Sequence, residues 1–566
     1  MGTSKTSVSY FLLLLPFLYI QIFYGLGDLG LVGPDEPRYA EVAKEMVRNR
    51  DYVTPRLSGQ PWLEKPILYY WITTLCFRLF GVSEFAARLP SALAAVLGAI
   101  VVVLVGQDWM GFRGGVHAGL ILLSCILYFS LARAASTDML LAGTLTAAWA
   151  GFYFLLFRKV PSPAGSPAIA ADVAAHASSQ FALTVLSYFF LALAVLAKGP
   201  VGLILCGAVL VAFLLLTRRL ELIKPMRVGL GLITVIVVAG PWYWLCYRAN
   251  GHLFTEEFLL RQNVERFTTS RYQHLQPFWF YFAVIFVGSF PWVFQLVASL
   301  RRFFHSAPEL RTNPTAAKEL YLWLWVLVPL VFFSLSKSKL PGYILPAVPS
   351  IALLVAREFE TASPGEGTNS SSKWIRWTAF AQALLISVFG LTLSYTQPYL
   401  NIEIGASMPG LRGIFVTAGA LGLVLSYWKR FRLLLATYLT ATAVTVMFIV
   451  STVIPRLEPL ESTRQLAFRL KKEGFSGQTI FLLGLSRRVE YGLNFYLDTT
   501  TRVIYSEDDL RATKADGFLL TPVGLQLKPV PRCLRVESEA TFHRERIVKL
   551  GWSENSSGQD DAKRTQ

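Results

Sequence analysis

The chain has 566 residues, of which 54% are hydrophobic, 14% aromatic and only 16% charged, and its mean hydropathy is +0.47. That balance excludes an ordinary soluble globular protein and calls for lipid as solvent. The formal charge of +17 does not point to nucleic acid, because the basic residues sit in short loops between apolar runs and not on one amphipathic face.

A spanning helix takes about 20 mostly apolar residues. Thirteen such segments are predicted, near residues 8–26, 90–109, 114–132, 138–157, 180–197, 199–217, 227–247, 277–300, 319–335, 340–356, 374–394, 408–427 and 431–453. The first has a thin basic flank and no small-residue cleavage site, and reads as a retained helix, not a signal peptide. Alternate loops hold Arg158 and Lys159, then Arg218, Arg219, Lys224 and Arg227, then Arg301, Arg302, Arg311 and Lys318, then Lys429, Arg430 and Arg432. The positive-inside bias makes that set cytoplasmic, with the N-terminus inside and the C-terminus outside.

Between the first two spans, residues 27–89 form a long outer loop. Its apolar part, Ile67 to Phe80, is too short to cross and is expected to lie at the interface, where Tyr69, Tyr70, Trp71 and Phe77 suit the headgroup level. The expected fold is thus an all-α polytopic membrane domain of about 13 transmembrane helices over residues 1–453, followed by a soluble periplasmic α/β domain over 454–552. In the latter Gln478 to Gly484, Arg502 to Tyr505 and Gly517 to Leu520 read as strands and Val489 to Leu497 as a helix. The polar tail 553–566 has the composition of a disordered segment. Residues 161–179 form an Ala/Ser/Pro loop, and the five cysteines, Cys76, Cys125, Cys206, Cys246 and Cys533, imply neither a disulfide framework nor a metal knuckle.

The polar clusters share a side. Asp35, Glu36 and Arg38; Glu64 and Lys65; Arg133 and Asp138; Lys198; Arg261 to His274; and Lys337 with Lys339 all fall at the outer face. Cations kept there against the positive-inside bias suggest an anionic ligand at the outer membrane surface. Each cluster also has a plainer reading. Asp35 and Glu36 open a helix, where acids complement the dipole, or supply a base for a sugar hydroxyl or amine. Glu64 and Lys65, between Trp62 and Pro66, form a surface ion pair or hold a cation and a phosphate. Arg266 and the lysines Lys337 and Lys339 snorkel to the interface, or join Tyr343 in clasping phosphate oxygens. His274 is structural or a metal ligand.

Taken together, Pro-Asp-Glu-Pro-Arg-Tyr-Ala-Glu at 34–41, Glu-Lys-Pro at 64–66, Phe-Ala-Ala-Arg-Leu-Pro at 85–90, Lys-Gly-Pro at 198–200 and Ser-Lys-Leu-Pro-Gly-Tyr at 338–343 carry a resemblance. The chain resembles the bacterial protein O-mannosyltransferase-like family of type C glycosyltransferases, lipid A aminoarabinose transferases among them. The resemblance implies a thirteen-helix fold with two interfacial helices in the first loop, an outer-face site and a polyprenyl-phosphate-linked sugar donor. It implies Asp35 as the catalytic carboxylate with Glu36 beside it, Glu64 as a metal ligand with His274 as its partner and His252 as the second choice, and Lys65, Arg266 and Tyr343 as the carrier-phosphate clamp, with Lys337 and Lys339 near. A divalent metal is expected on that ground, and no nucleotide. The expected function is transfer of a pentose or hexose, an amino sugar included, to lipid A, an envelope glycan or a protein at the outer face of the inner membrane. A transporter or flippase of lipid-linked sugars is the alternative; it predicts ionisable groups at mid-membrane depth, which the predicted spans almost lack.

Overall fold

The structure, a computed structural model, describes residues 13–157, 167–268, 275–310, 312–362, 369–396, 405–475, 477–499, 501–505, 509, 517–523, 534–542 and 545–552. The tail expected to be disordered, 553–566, and His274 lie outside them.

After a short apolar helix, Leu13–Phe23, the chain leaves the helical bundle and enters the first long loop. Helix α1, Asp35–Asn49, starts after Gly33 at a φ of 64° and stops at Arg50 in the left-handed region. Its apolar face, Tyr39, Val42, Ala43 and Met46, is buried against the second loop helix. Between them a two-residue hairpin pairs β1, Arg56–Leu57, with β2, Gln60–Pro61. Helix α2, Leu68–Phe80, buries Tyr69, Tyr70, Thr73 and Phe77 while Trp71, Leu75 and Leu79 are exposed. That spacing of four residues makes one apolar stripe along its outer side, as an interfacial helix requires.

Helix α3 runs over Glu84–Ser124, 41 residues, and is a hairpin of two helices: Gly111, at φ 79° and ψ 170°, breaks it. The two arms touch through glycines. A Cβ on Gly106 would come within 2.7 Å of Gly115 Cα, and one on Gly115 within 2.4 Å of the Val103 carbonyl. Helix α4, Thr137–Phe157, is buried along most of its length. Helix α5, Pro167–Lys198, begins inside the stretch expected to be an Ala/Ser/Pro loop; alanine is the strongest helix former and overrides the serines there.

Among the described residues nine helices are long and apolar enough to cross a membrane, ten when Phe280–Gly288 and Val293–Glu309, which meet at 114°, are one broken span. Val201–Thr217 and Leu13–Phe23 are apolar but shorter. Length and apolarity therefore give nine or ten spans, with thirteen standing as the expectation from the sequence. The bundle is tied by large buried rings, Trp149 against Trp325 at 5.0 Å and Tyr321 between them and Phe213.

Beyond the last apolar helix lie α6, Arg464–Lys472, β3, Thr479–Leu483, α7, Arg487–Leu497, β4, Arg502–Ile504, β5, Gly517–Pro522, β6, Leu534–Phe542, and β7, Glu545–Trp552. The sheet order is β4-β3-β5-β7-β6, with β3 parallel to both β4 and β5 and β7 antiparallel to β5 and β6. Leu466, Leu470, Ile480, Leu482, Leu493 and Phe518 form its core. The antiparallel pair β6 and β7 was not foreseen: charged and polar residues interrupt the apolar alternation in both, and tertiary pairing supplies what local pattern lacks.

Candidate active site

The start of α1 separates its two acids. Asp35 keeps its side chain 58% exposed, and Arg38 one turn on donates from Nη2 to its Oδ1 at 2.6 Å. Glu36 points the other way and is buried. Its oxygens accept from Arg88 Nε at 3.0 Å and Nη2 at 2.7 Å, from the Ala135 N–H at 2.7 Å and from the Val32 N–H at 2.9 Å. Arg88 in turn gives its other donors to the carbonyls of Leu26, Leu29 and Gly30. Glu36 is expected to be a second catalytic carboxylate; in the structure both its oxygens are engaged in a closed network that ties the loop before α1 to Arg88 and to the Ala135 backbone.

Arg38 is the hub of the exposed side. Besides Asp35 it reaches Glu64 Oε2 at 3.4 Å, and its guanidinium lies 5.1 Å from the Tyr39 ring and 5.3 Å from that of Trp62. Burial works against its charge, but Tyr39, Glu64 and Asp35 outweigh it and push the guanidinium above its ordinary value. Burial likewise raises the Tyr39 hydroxyl.

Glu64 opens onto a cavity of about 330 Å³ whose polar lining includes Glu64, Lys65, Lys198, Gln262, Asn263 and Tyr343, with Phe258, Phe332 and Phe333 on its apolar side. Four remote segments deliver these groups: the turn before α2, the end of α5, the helical turn Thr255–Glu265, and the tight turn Pro341–Ala347. Lys198 forms an ion pair with Asp138 in the first turn of α4 and sits 4.2 Å over the Tyr343 ring. Gly342 permits this approach, since a Cβ there would meet Asp138 Oδ2 at 2.3 Å.

The remaining expected residues divide. Lys65 and Tyr343 line the cavity. Lys339 does not: it is 6% exposed, and its Nζ donates to the carbonyls of Ser336 at 2.6 Å and Gln276 at 3.2 Å, so in this structure it ties its turn to the remote segment that holds Gln276. Lys337 is exposed, its backbone N–H bonded to the Phe267 carbonyl at 3.1 Å, outside the cavity lining. Arg266 begins the short helix Arg266–Thr268, whose Phe267 and Thr268 face the cavity; its own side chain lies outside the described set. Lys198 and Asp138 had been noticed only as outer-face charges without a role. The signal available was a lysine at the outer end of a span, against the positive-inside bias.

For the expected metal the donor set does not assemble: Glu64 is engaged by Arg38, His252 is exposed, and among the described residues no three His, Cys, Asp or Glu side chains gather around one point.

The described residues thus combine a bundle of apolar helices, two helices in the first long loop, a cavity lined by lysines and a C-terminal α/β domain. Residues 64–244 match the family model described as dolichyl-phosphate-mannose-protein mannosyltransferase. Among curated proteins the chain is 31% identical over 347 residues to the undecaprenyl phosphate-alpha-4-amino-4-deoxy-L-arabinose arabinosyl transferase of Aeromonas salmonicida, covering 60% of this chain and 58% of that protein. It is 28% identical over 563 residues to arabinosyl transferase 2 of the same name from Sodalis glossinidius, covering 92% of this chain and 94% of that one. Among solved structures, ArnT from Cupriavidus metallidurans bound to undecaprenyl phosphate superposes with a TM-score of 0.75 at 22% identity, over 97% of this chain and 98% of that one. The chain is thus similar to these transferases in sequence and fold, and is a multi-pass protein of the inner-membrane type.

Proposed function

We propose that the protein transfers a sugar from a polyprenyl-phosphate carrier to an acceptor at the outer face of the inner membrane, with the N-terminus cytoplasmic and the α/β domain periplasmic. The observation that carries this is the cavity at the ends of apolar helices, holding Lys65, Lys198 and Tyr343, joined through Glu64 and Arg38 to the exposed Asp35. The relatives' names favour undecaprenyl phosphate as carrier and an amino-pentose as cargo. Lipid A, an envelope glycan or a protein is the acceptor.

In the proposed reaction an acceptor hydroxyl or amine attacks the anomeric carbon while the bond from that carbon to the phosphate oxygen breaks, the electron pair staying on the phosphate. Inversion follows from a single displacement. The Lys65 and Lys198 ammonium groups face the charge that develops on the leaving phosphate, where a low-dielectric wall of phenylalanines strengthens them. The polyprenyl chain continues from the apolar side of the cavity into lipid. Asp35, with Oδ1 held by Arg38, offers Oδ2 to the acceptor's proton as the new bond forms.

Purified full-length protein given a polyprenyl-phosphate sugar and cell envelope tests this. Asp35→Asn lowers turnover by roughly 100-fold or more with donor binding retained, and Lys65→Ala weakens donor binding by about 1.5 to 3 kcal/mol. Parental transfer by both variants refutes the assignment.

A further inference from the structure

Arg38 links the two carboxylates the proposed reaction needs in place, Asp35 at 2.6 Å and Glu64 at 3.4 Å. A third ring stands beside it besides Tyr39 and Trp62: Tyr491, with the Arg38 guanidinium 6.0 Å from its centroid. Tyr39 and Trp62 belong to the first outer loop, but Tyr491 belongs to α7 of the C-terminal domain, 453 positions further along the chain than Arg38. Aromatic faces attract a guanidinium and restrict where its fork points.

The two segments are fastened on either side of this contact. Before Arg38, the Leu31 N–H donates to the Tyr496 hydroxyl at 2.8 Å, and that hydroxyl donates to Glu84 Oε1 at 3.0 Å. After it, Lys44 Nζ donates to the Phe495 carbonyl at 2.8 Å and pairs with Asp498 at 3.1 Å, and Arg48 pairs with the same carboxylate at 3.1 Å. These ties flank Arg38 on the first segment and gather at 495–498 on the second, so the C-terminal end of α7 is fixed against α1 and carries Tyr491, about one turn earlier, to Arg38. The Arg38 side chain is only 11% exposed, whereas the Asp35 side chain it holds is 58% exposed. Restraint on Asp35 thus comes from a guanidinium that the C-terminal domain helps to enclose.

We infer that the C-terminal domain is a working part of the active site, with Tyr491 a positioning residue that holds Arg38, and through it Asp35 and Glu64, in the geometry for acceptor attack. This rests on the transferase reading. Lys65, Lys198 and Tyr343 lie across Glu64, in a cavity that Tyr491 does not line. Losing the ring therefore acts on turnover and spares donor binding.

The test uses the full chain in detergent with a defined polyprenyl-phosphate sugar. Tyr491→Leu is expected to lower kcat about tenfold or more while the donor KM stays within about twofold, and Tyr491→Phe, which keeps the ring, to retain most of the parental kcat. Combined with Arg38→Lys, Tyr491→Leu adds no further loss, because both act through one guanidinium. Tyr491→Met, closer to the ring in volume, carries the same comparison where Tyr491→Leu loses folded yield. Parental kcat in the leucine and methionine variants, equal losses in leucine and phenylalanine, a donor KM that rises in step, or multiplying losses in the double variant each overturn the inference. A parent that transfers no sugar sinks the transferase reading instead. The positioning claim is then read from amide hydrogen exchange at residues 39–43, which Tyr491→Leu must speed and Tyr491→Phe must not; unchanged exchange overturns it.

Discussion

Replacing Glu36 with glutamine keeps the shape of the side chain and removes one negative charge from a buried site. Four donors converge on that carboxylate, two of them from Arg88, which also satisfies three backbone carbonyls of the loop before α1. A glutamine presents one acceptor oxygen and turns an N–H toward either the Arg88 fork or a backbone N–H, so at least one donor is left buried and unpaired. Breaking a buried ion pair from one side costs about 3 to 5 kcal/mol, and each charged hydrogen bond lost contributes about 1.5 to 3 kcal/mol. The expected result for Glu36→Gln is a marked fall in the midpoint of thermal aggregation in detergent, followed by size exclusion, and a lower folded yield. The fraction that stays folded should turn over at near the parental rate. Glu36→Asp, too short to span the same donors, should also destabilise. A Glu36→Gln protein that melted with the parent yet transferred no sugar would show that Glu36 acts in the chemistry and that the network reading is wrong.

Lys198→Ala removes a cavity cation and should weaken donor binding by about 1.5 to 3 kcal/mol, whereas Lys339→Ala, which cuts the tie to the remote Gln276 carbonyl, should lower folded yield and leave the donor KM alone; the opposite pattern makes Lys339 the clamp. Glu41, buried on α1, is pushed up to about 7 from the ordinary 4.5, chiefly by burial, with Lys44 pulling it down and Glu45 adding to the rise. Its neutral form is the one that suits the fold, so its contribution is complete below the unfolded value near 4.5 and is lost as pH rises through 7. Melting curves from pH 5 to 9 should thus show a decline worth at most about 3 kcal/mol, and Glu41→Gln should remove it; an unchanged slope refutes this. Single cysteines at Gln60 and Tyr505, in a background without the native five, should both react with an impermeant maleimide in intact spheroplasts. Protection of either until lysis overturns the proposed orientation.

Much of the architecture was legible because it depends on local composition. Long apolar runs are read directly from composition, and among the described residues nine or ten helices are long and apolar enough to span; of the rings expected at the headgroup level only Trp71 is exposed, Tyr69, Tyr70 and Phe77 being buried by tertiary packing. The parallel strands at 479–483, 502–504 and 517–522 also announced themselves as short apolar runs. What the sequence by itself determined, then, was the medium and the elements. Which charge does what was decided only by the tertiary structure. Asp35 and Glu36 are neighbours of the same type, yet one is exposed and the other is paired with Arg88, 52 positions away. Lys198 entered the cavity and Lys339 left it because of partners 60 and 63 positions away, Asp138 and the Gln276 carbonyl. A charged side chain takes its role from the partners that surround it and the water they exclude, and those partners are brought together by the packing of remote helices, which no local window of sequence contains.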